Sequence, residues 1–559
     1  MKHILACLYL MIILLAGCSK GLDLYPLDSI SDATFWKSSS DYKLAANNLY
    51  SSLPYGIITS DVQSDIAFNS NNAISNGTNV VTETDGNWTN PFVYIRRCNK
   101  LITSAAKSSV ANDPEVLMFV AEAKFFRAYN YWMLFRLYGG VPLIKEVLDI
   151  NSPELYEARA TRKQTVDFML QDLTDAAINL PLKSTLKKND IGRVTKGTAL
   201  ALKARIALFE GTWSKYRGIA EANGHLDIAI EAANNVINSK EYSLYNSKGA
   251  NSYWSLFIEP GDDSPESVLD NRFEKDVRSH WLVGEIHDQP CYLATKSLAD
   301  MYLCIDGLPI TQSILFKGYN TRTSEFENRD PRMSMTLLIP GTFAVQNLYP
   351  VAIESWPFFP QRNGNTGYIT NKYRSEDVYG NTVQSWAFDL HLIRYAEVLL
   401  TLAEATFERN GNISDADLNR TINVVRQRAG MIPLTNAFVT ANGLDMKEEI
   451  RRERSIELAM EGFRYDDLRR WKTAEKVLPQ DIKGIKIKDS QWGTDPIMVS
   501  GANKNPYSGP NYQSKADANG FLIVESAAGR KFDPSKNYLL PLPTKEISIN
   551  NKLEQNPGW

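Results

Sequence analysis

The run MFVAEAKFFRAYNYWMLFRLYGGVP at residues 118–142 constrains the fold more than any other stretch of this chain. Ala121, Phe125, Ala128, Trp132 and Phe135 recur at steps of three and four, which lines them along one face of a helix. Gly139-Gly140 and Pro142 end it, because glycine tolerates left-handed dihedrals and proline cannot continue the hydrogen-bond ladder. A helix with so much apolar surface has to be covered by others, so the rest of the chain must supply them.

It does so in two blocks. The order Ala-x3-Phe-x2-Ala at 121–128 is that of the second helix of a tetratricopeptide unit, where small side chains admit a neighbour and an aromatic fills the gap. Asn87–Ser104 pairs with this helix, and Thr161–Leu180 with Thr195–Trp213 makes a second pair. His225–Lys240 adds another helix. After a long irregular stretch, helical spacing resumes at His391, where Ala403 and Phe407 repeat the Ala-x3-Phe order. Asp415–Ala429 and Lys447–Met460 follow as a further pair. A helix from Tyr42 to Leu53, with capping residues from Ser38 to Asp41, precedes them all. The chain thus divides into a leader at 1–17, a tether, helix and loop at 18–86, and a helical block at 87–240. An irregular insertion at 241–390, a second helical block at 391–471 and an irregular segment at 472–559 complete it. Helix pairs of this size stack, each covering its neighbour's apolar face.

The leader speaks to compartment. Met1-Lys2-His3 is a short basic start, Ile4–Ala16 is apolar but shorter than the roughly 20 residues a spanning helix needs, and Leu15-Ala16-Gly17-Cys18 closes it. That tetrapeptide resembles the bacterial lipobox, whose cysteine becomes the acylated first residue of the mature protein. Cys18 is therefore the expected lipidation site, and the membrane is reached through the anchor alone. Cys98, Cys291 and Cys304 then remain, which makes no disulfide framework; buried free thiols are expected, with a Cys291–Cys304 bridge as the alternative. A net charge of −3 without a long basic run argues against nucleic acid as a partner.

Three loops combine aromatic rings with planar polar groups, the two devices that hold sugars: rings stack on the C–H face of a pyranose and amides or guanidinium groups meet its hydroxyls. The first, at 61–90, offers Phe68, Asn69, Asn71, Asn72 and Trp88. The second, at 275–292, offers Arg278, Trp281, His287 and Tyr292. The third, at 353–388, offers Trp356, Phe358, Phe359, Arg362 and Trp386. Trp88 opens a predicted helix and doubles as a core candidate. In the charged stretch 448–470, read as one helix, Glu449, Glu453 and Glu457 follow at i, i+4, and Arg452, Arg454 and Arg464 are placed to compensate them. This predicts an ion-pair network tying the last helices to the C-terminal segment, not a catalytic pair facing across a cleft. His225, His280, His287 and His391 show no zinc spacing, no G-x-S-x-G or phosphate loop occurs, and Asp517-Ala518-Asn519-Gly520 fails the calcium-loop pattern and reads as a turn. No metal or cofactor is expected.

Seven pieces, in order, resemble one known family: Leu15–Cys18, AEAKFFRAYNYWMLFRLYGGVPL, RVTKGTALALKARIALF, ATKSLADMYLCIDGLPI, IRYAEVLLTLAEA, ERSIELAMEGFRYDDLRRW and YLLPLPTKEISINNKLEQNPGW. Together they are similar to the SusD/RagB outer-membrane glycan-binding lipoproteins of Bacteroidota. The resemblance implies a mostly α fold, with four tetratricopeptide-like helix pairs in a superhelix and an irregular, loop-rich subdomain with little strand. It implies non-catalytic capture of an oligosaccharide or polysaccharide, with the protein acting as a lid on a SusC-like TonB-dependent transporter. It also implies an outer-membrane, lipid-anchored protein facing the cell surface. Ser19-Lys20-Gly21-Leu22-Asp23 departs from the acidic run that often follows the lipid cysteine in surface-exported members, so the periplasmic face stays an alternative. A surface glycoside hydrolase and a tetratricopeptide-type protein-binding adaptor are the rival functions. The ligand-binding set expected from the three loops is Trp281, Trp356, Trp88, Tyr292, Phe68, Asn71 and Arg278.

Overall fold

The computed structural model describes residues 35–55, 58–287, 292–340, 366–375, 386–495 and 506–559. Cys18, Cys291, Trp356, Phe358, Phe359 and Arg362 lie outside these residues.

Helices α1 (Ser39–Leu49), α2 (Gly86–Ala106), α3 (Pro114–Tyr138), α4 (Arg162–Asn179), α5 (Lys196–Lys215) and α6 (Ala222–Ser239) precede the insertion. Helices α7 (Tyr395–Asn410), α8 (Asp415–Arg420), α9 (Ile422–Arg428), α10 (Met446–Glu457) and α11 (Arg464–Arg470) follow it. Their starts are set by side chains that accept orphan backbone N–H groups. Asp85 caps α2, Asp113 caps α3 ahead of Pro114, and Thr161 with Gln164 forms a capping box on α4. Gly139, at φ +77°, ends α3.

Packing follows chain order: α2 and α4 both lie against α3, α4 against α5, α5 against α6, and α6 against α7, which joins the two helical blocks. Phe125, Phe126, Ala128 and Phe135 of α3 are fully buried, and so is Glu122. This helix is enclosed nearly all round, beyond the single apolar face its spacing predicts. Its buried charges are paired: Glu122 accepts from Arg193 at 2.7 Å, and Arg127 forms a two-pronged bond to Asp172 at 2.7 and 2.8 Å.

Strand is sparse and forms three antiparallel pairs: β1 (Ala67–Phe68) with β3 (Leu293–Ala294), β2 (Ser267–Asn271) with β4 (Leu390–Arg394), and β5 (Ile482–Lys486) with β6 (Phe521–Glu525). Asp517 accepts from the Asn519 and Phe521 N–H groups ahead of β6, which makes the 517–520 stretch a side-chain-stabilised turn.

Three helical expectations are corrected. The run from His391 begins as strand β4, not as helix, because it is buried throughout and pairs with β2. His391 sits between the Asp270 carboxylate at 2.7 Å and the Leu256 carbonyl at 2.8 Å. Asp415–Ala429 breaks at Thr421 (φ −128°, ψ −92°), whose hydroxyl donates to the Asp417 carbonyl and competes for the helix ladder. The charged stretch 448–470 is two helices, since Met460 and Gly462 adopt positive φ between α10 and α11.

The acids of that stretch are buried ion-pair partners, but of arginines far away in sequence. Glu453 accepts from Arg332 and Arg426, each at 2.7 Å. Glu457 takes Arg332 at 2.9 Å, Arg394 at 2.6 Å and Arg428. Arg394 also reaches Glu266 at 2.8 Å and Glu461 at 2.7 Å, and Lys372 reaches Glu461 at 2.6 Å. With the Asp330–Arg332 pair at 2.7 Å, five carboxylates (Glu266, Asp330, Glu453, Glu457, Glu461) face five cations (Arg332, Arg394, Arg426, Arg428, Lys372). This balanced cluster clamps α10 to β4, α9 and the insertion. Only the Glu449–Arg452 contact, at 3.2 Å, matches the expected local compensation; Arg454 turns to Asp467 at 2.9 Å and Arg464 to Asp65 at 2.8 Å.

Candidate functional site

The three loops singled out by composition meet. Pairing of β1 with β3 sets Phe68 opposite Leu293 and Ala67 opposite Ala294. The Thr295 hydroxyl donates to the Asp65 carbonyl at 2.5 Å, and the Thr370 hydroxyl to the Tyr292 carbonyl at 3.0 Å. His280 and Trp386 exchange backbone hydrogen bonds of 2.8 and 3.1 Å. Strand and bridge pairing, with the two threonine bonds, therefore brings residues 65–68, 280–281, 292–295, 368–370 and 386 to one place.

Trp281 is the half-buried indole at this junction. It lies across Gly284, where an added Cβ would fall 2.2 Å from Cε2, so only a glycine there leaves room for the ring. One side packs against Trp386 with ring centroids 5.8 Å apart. Trp386, fully buried, is a support and offers no face to solvent.

Tyr55, absent from the expected set, completes the platform. The residue is 47% exposed, and its hydroxyl accepts from the Trp281 N–H at 3.0 Å and donates to the Ser279 carbonyl at 3.3 Å. Asn271 anchors it, with Nδ2 donating to the Pro54 carbonyl at 2.9 Å. An aromatic between Pro54 and Gly56 is a turn signature that hints at exposure, but its partner is more than 200 residues away.

Arg278 is exposed yet held: one Nη donates to Asn271 Oδ1 at 2.8 Å and to the Arg272 carbonyl at 3.1 Å, while the guanidinium lies 4.5 Å over the Phe273 ring. Glu285, half-buried on the same turn, has its carboxyl raised above the usual range by burial, against a hydrogen bond from Tyr292 that lowers it. His280 is buried behind the platform, its ring pushed down to about 4 by burial and so neutral at pH 7.

The remaining candidates part company. Tyr292 is buried to 9% exposure and reaches the site through Glu285. Phe68 and Trp88 are interior residues at 6% and 2% exposure. Trp88 packs between Phe92 and Tyr138 within the helical core, so neither ring presents a face to a ligand, which corrects their place in the set. Asn71 is exposed, its backbone N–H donating to Asn69 Oδ1 at 2.8 Å, and Asn72 is turned inward to Glu525 at 2.7 Å. Among the described residues no group of three His, Cys, Asp or Glu is placed to hold a metal ion, and no helix is long and apolar enough to cross a membrane. Cys98 and Cys304 are buried free thiols.

A half-buried indole and an exposed phenol beside a fixed guanidinium and a carboxyl can stack on an apolar ring face and meet its hydroxyls together. The family model described as "SusD family" matches residues 288–559, and that described as "Starch-binding associating with outer membrane" matches 39–208. A SusD-like protein of Formosa agariphila is 24% identical over 98% of both chains, and a SusD-like protein of Bacteroides ovatus is 23% identical over 98% of this chain and 96% of its own. Among solved structures, a SusD-like carbohydrate-binding protein of Bacteroides fragilis aligns with a TM-score of 0.76 at 26% identity, covering 93% of this chain and all of that one. A second SusD-like protein of that organism gives 0.74 at 24%, covering 96% and 100%. The chain belongs to the SusD family.

Proposed function

We propose that this protein is a non-catalytic glycan-binding lipoprotein, anchored to the outer membrane through Cys18, that captures oligosaccharide or polysaccharide and delivers it to a SusC-like TonB-dependent transporter as its lid. The observation that carries the reading is the convergence of three loops on a half-exposed Trp281, with Tyr55, Arg278 and Glu285 beside it. Family membership supports a carbohydrate ligand, and the lipobox-like leader supports the anchor. A chain of sugars is held by several weak contacts that add up along it. Catalysis by the acids of α10 is disfavoured, since Glu453 and Glu457 are spent on buried arginines and do not face a cleft.

The test is a glycan-array screen followed by calorimetry on the best oligosaccharide. Wild type should bind saturably and leave the glycan intact. Trp281→Ala should lose on the order of 1–3 kcal/mol of affinity, as for other aromatic anchors, with its fold unchanged. Hydrolysis at an enzyme-like rate, or unaltered affinity in the variant, would sink the reading. Membrane delivery is tested separately: Cys18→Ala should release the protein from outer-membrane fractions.

A further inference from the structure

Arg278 brings to the Trp281 platform a charge that is held in place by neutral groups. The chain turns back at Asp276, φ +63°, so that Glu274 and Arg278 stand opposite each other in an antiparallel bridge with backbone bonds of 3.0 and 2.9 Å. Opposite charges at such a cross-strand position ordinarily join. Here they do not. The Arg278 side chain goes instead to Asn271 Oδ1 at 2.8 Å, to the Arg272 carbonyl at 3.1 Å and to the face of the Phe273 ring at 4.5 Å. Among the described residues no carboxylate forms an ion pair with this guanidinium, which is exposed. The neighbouring Arg272 behaves otherwise, since Asp263 takes it at 2.6 Å and Asp389 lies at 3.6 Å.

Asn271 fixes that charge relative to the rings. It is buried at the end of β2, opposite Leu390 of β4, and its amide holds the Pro54 carbonyl with Nδ2 and Arg278 with Oδ1. The Phe273 ring beneath the guanidinium stands edge-on to Tyr55, with centroids 5.8 Å apart. Burial raises the Tyr55 phenol, while the Trp281 N–H and the charge of Arg278 act against it, which puts the guanidinium in electrostatic range of the hydroxyl that meets Trp281. Glu285, the acid of the platform, is raised by burial against Tyr292 with no cation acting on it, so it does not balance Arg278. One Nη of Arg278 is engaged, and its Nε and other Nη make no hydrogen bond with a described residue. Those are two donors of the planar fork that meets the paired oxygens of a carboxylate or sulfate. A guanidinium already fixed loses little freedom when a ligand arrives, and one without a counter-charge gains most from an anion.

We propose, resting on the glycan-binding function above, that the glycan taken at Trp281 is acidic, its stacked sugar carrying a carboxylate or a sulfate ester that Arg278 receives. The full chain is screened on an array in which each acidic glycan stands beside its neutral counterpart, uronates reduced to the alcohol and sulfate esters removed. The strongest binder and its counterpart then go to calorimetry. That binder should be acidic, the uronate and sulfate arms telling the two sources apart, and its neutral counterpart should bind about tenfold or more weaker. Raising salt from about 50 to 500 mM should weaken the acidic ligand and leave the neutral one unchanged. Arg278→Gln should keep the unfolding midpoint and erase both the preference and the salt dependence. Arg278→Lys, which keeps the charge without the fork, should retain the salt dependence and part of the preference. Trp281→Ala should weaken the acidic and the neutral ligand alike. A neutral strongest binder that needs Trp281 overturns the acidic class and leaves the glycan-binding function standing. Equal binding of the matched pair, or an Arg278→Gln variant that keeps the preference, does the same. No saturable binding on the array, or indifference of every ligand to Trp281→Ala, takes down both.

Discussion

Replacing Glu457 with Gln tests what holds the insertion to the helices. Its carboxylate accepts from Arg332 at 2.9 Å, Arg394 at 2.6 Å and Arg428, in a cluster of five acids and five cations that is almost wholly buried. At an effective dielectric of about 20, a charge about 4 Å away is worth about 4 kcal/mol, so three guanidinium groups offer about 12 kcal/mol. Relief of the carboxylate's own desolvation returns several kcal/mol, which leaves a net loss of roughly 3–5 kcal/mol, the range seen when one member of a buried pair is removed. Burial works against this carboxylate, but Arg428, Arg394 and Arg332 outweigh it and hold its proton affinity well below the usual range. Because the folded value is depressed, the stabilisation is fully present above the unfolded value near 4.5 and is lost only as pH falls towards the folded value. The gap between wild type and Glu457→Gln in urea unfolding, followed by fluorescence and far-UV circular dichroism together, should therefore be level from pH 8 to about 5 and narrow in stronger acid. Adding Arg428→Met restores neutrality and should recover at least half of the loss. A single-variant loss under about 1 kcal/mol, or a double variant that merely sums two losses, would refute a charge-balanced clamp.

Other outcomes follow from single contacts. Gly284→Ala drives a Cβ into the Trp281 indole, so glycan affinity should fall at least tenfold by calorimetry while the unfolding midpoint moves little. Burial pushes Glu325 up to about 7, where it accepts from the Tyr368 hydroxyl at 2.9 Å. Since that folded value lies above the unfolded one, its contribution is present below pH 4.5 and is lost as pH rises through 7; Glu325→Gln should remove up to about 3 kcal/mol of this pH dependence, read as unfolding free energy between pH 5 and 8. His391 behaves in the same sense at higher pH. Burial lowers it but Asp270 and the Leu256 carbonyl raise it to about 9, so wild type should lose stability through pH 9 and His391→Gln should not.

How far the chain could be read depended on how local each signal was. The helices α2 to α6 follow from apolar spacing and from caps at Asp85, Asp113 and Thr161, all within a few residues of the element they specify. Strand β4 escaped because a short run that is buried on both sides carries no period, and its helix-like continuation in α7 masked it. The turn at 458–463 escaped because its positive φ at Met460 is imposed by packing and not by residue type. The buried ion cluster was legible only as an excess of Glu and Arg, since Glu457 finds Arg332 125 residues away. The candidate loops were found by composition alone, yet which ring is exposed depended on distant backbone pairing. Trp281 stands over Gly284 and remains half-open, whereas Trp386 and Trp88 have neighbours on every side.

A crystal structure of the chain with its best-binding oligosaccharide would bear most directly on the role of that junction. Expected is a pyranose ring stacked on the Trp281 indole, with hydroxyls in hydrogen-bond reach of Arg278 or Glu285 and an unbroken glycosidic bond. A saccharide seated elsewhere, leaving Trp281 and Tyr55 untouched, would contradict it.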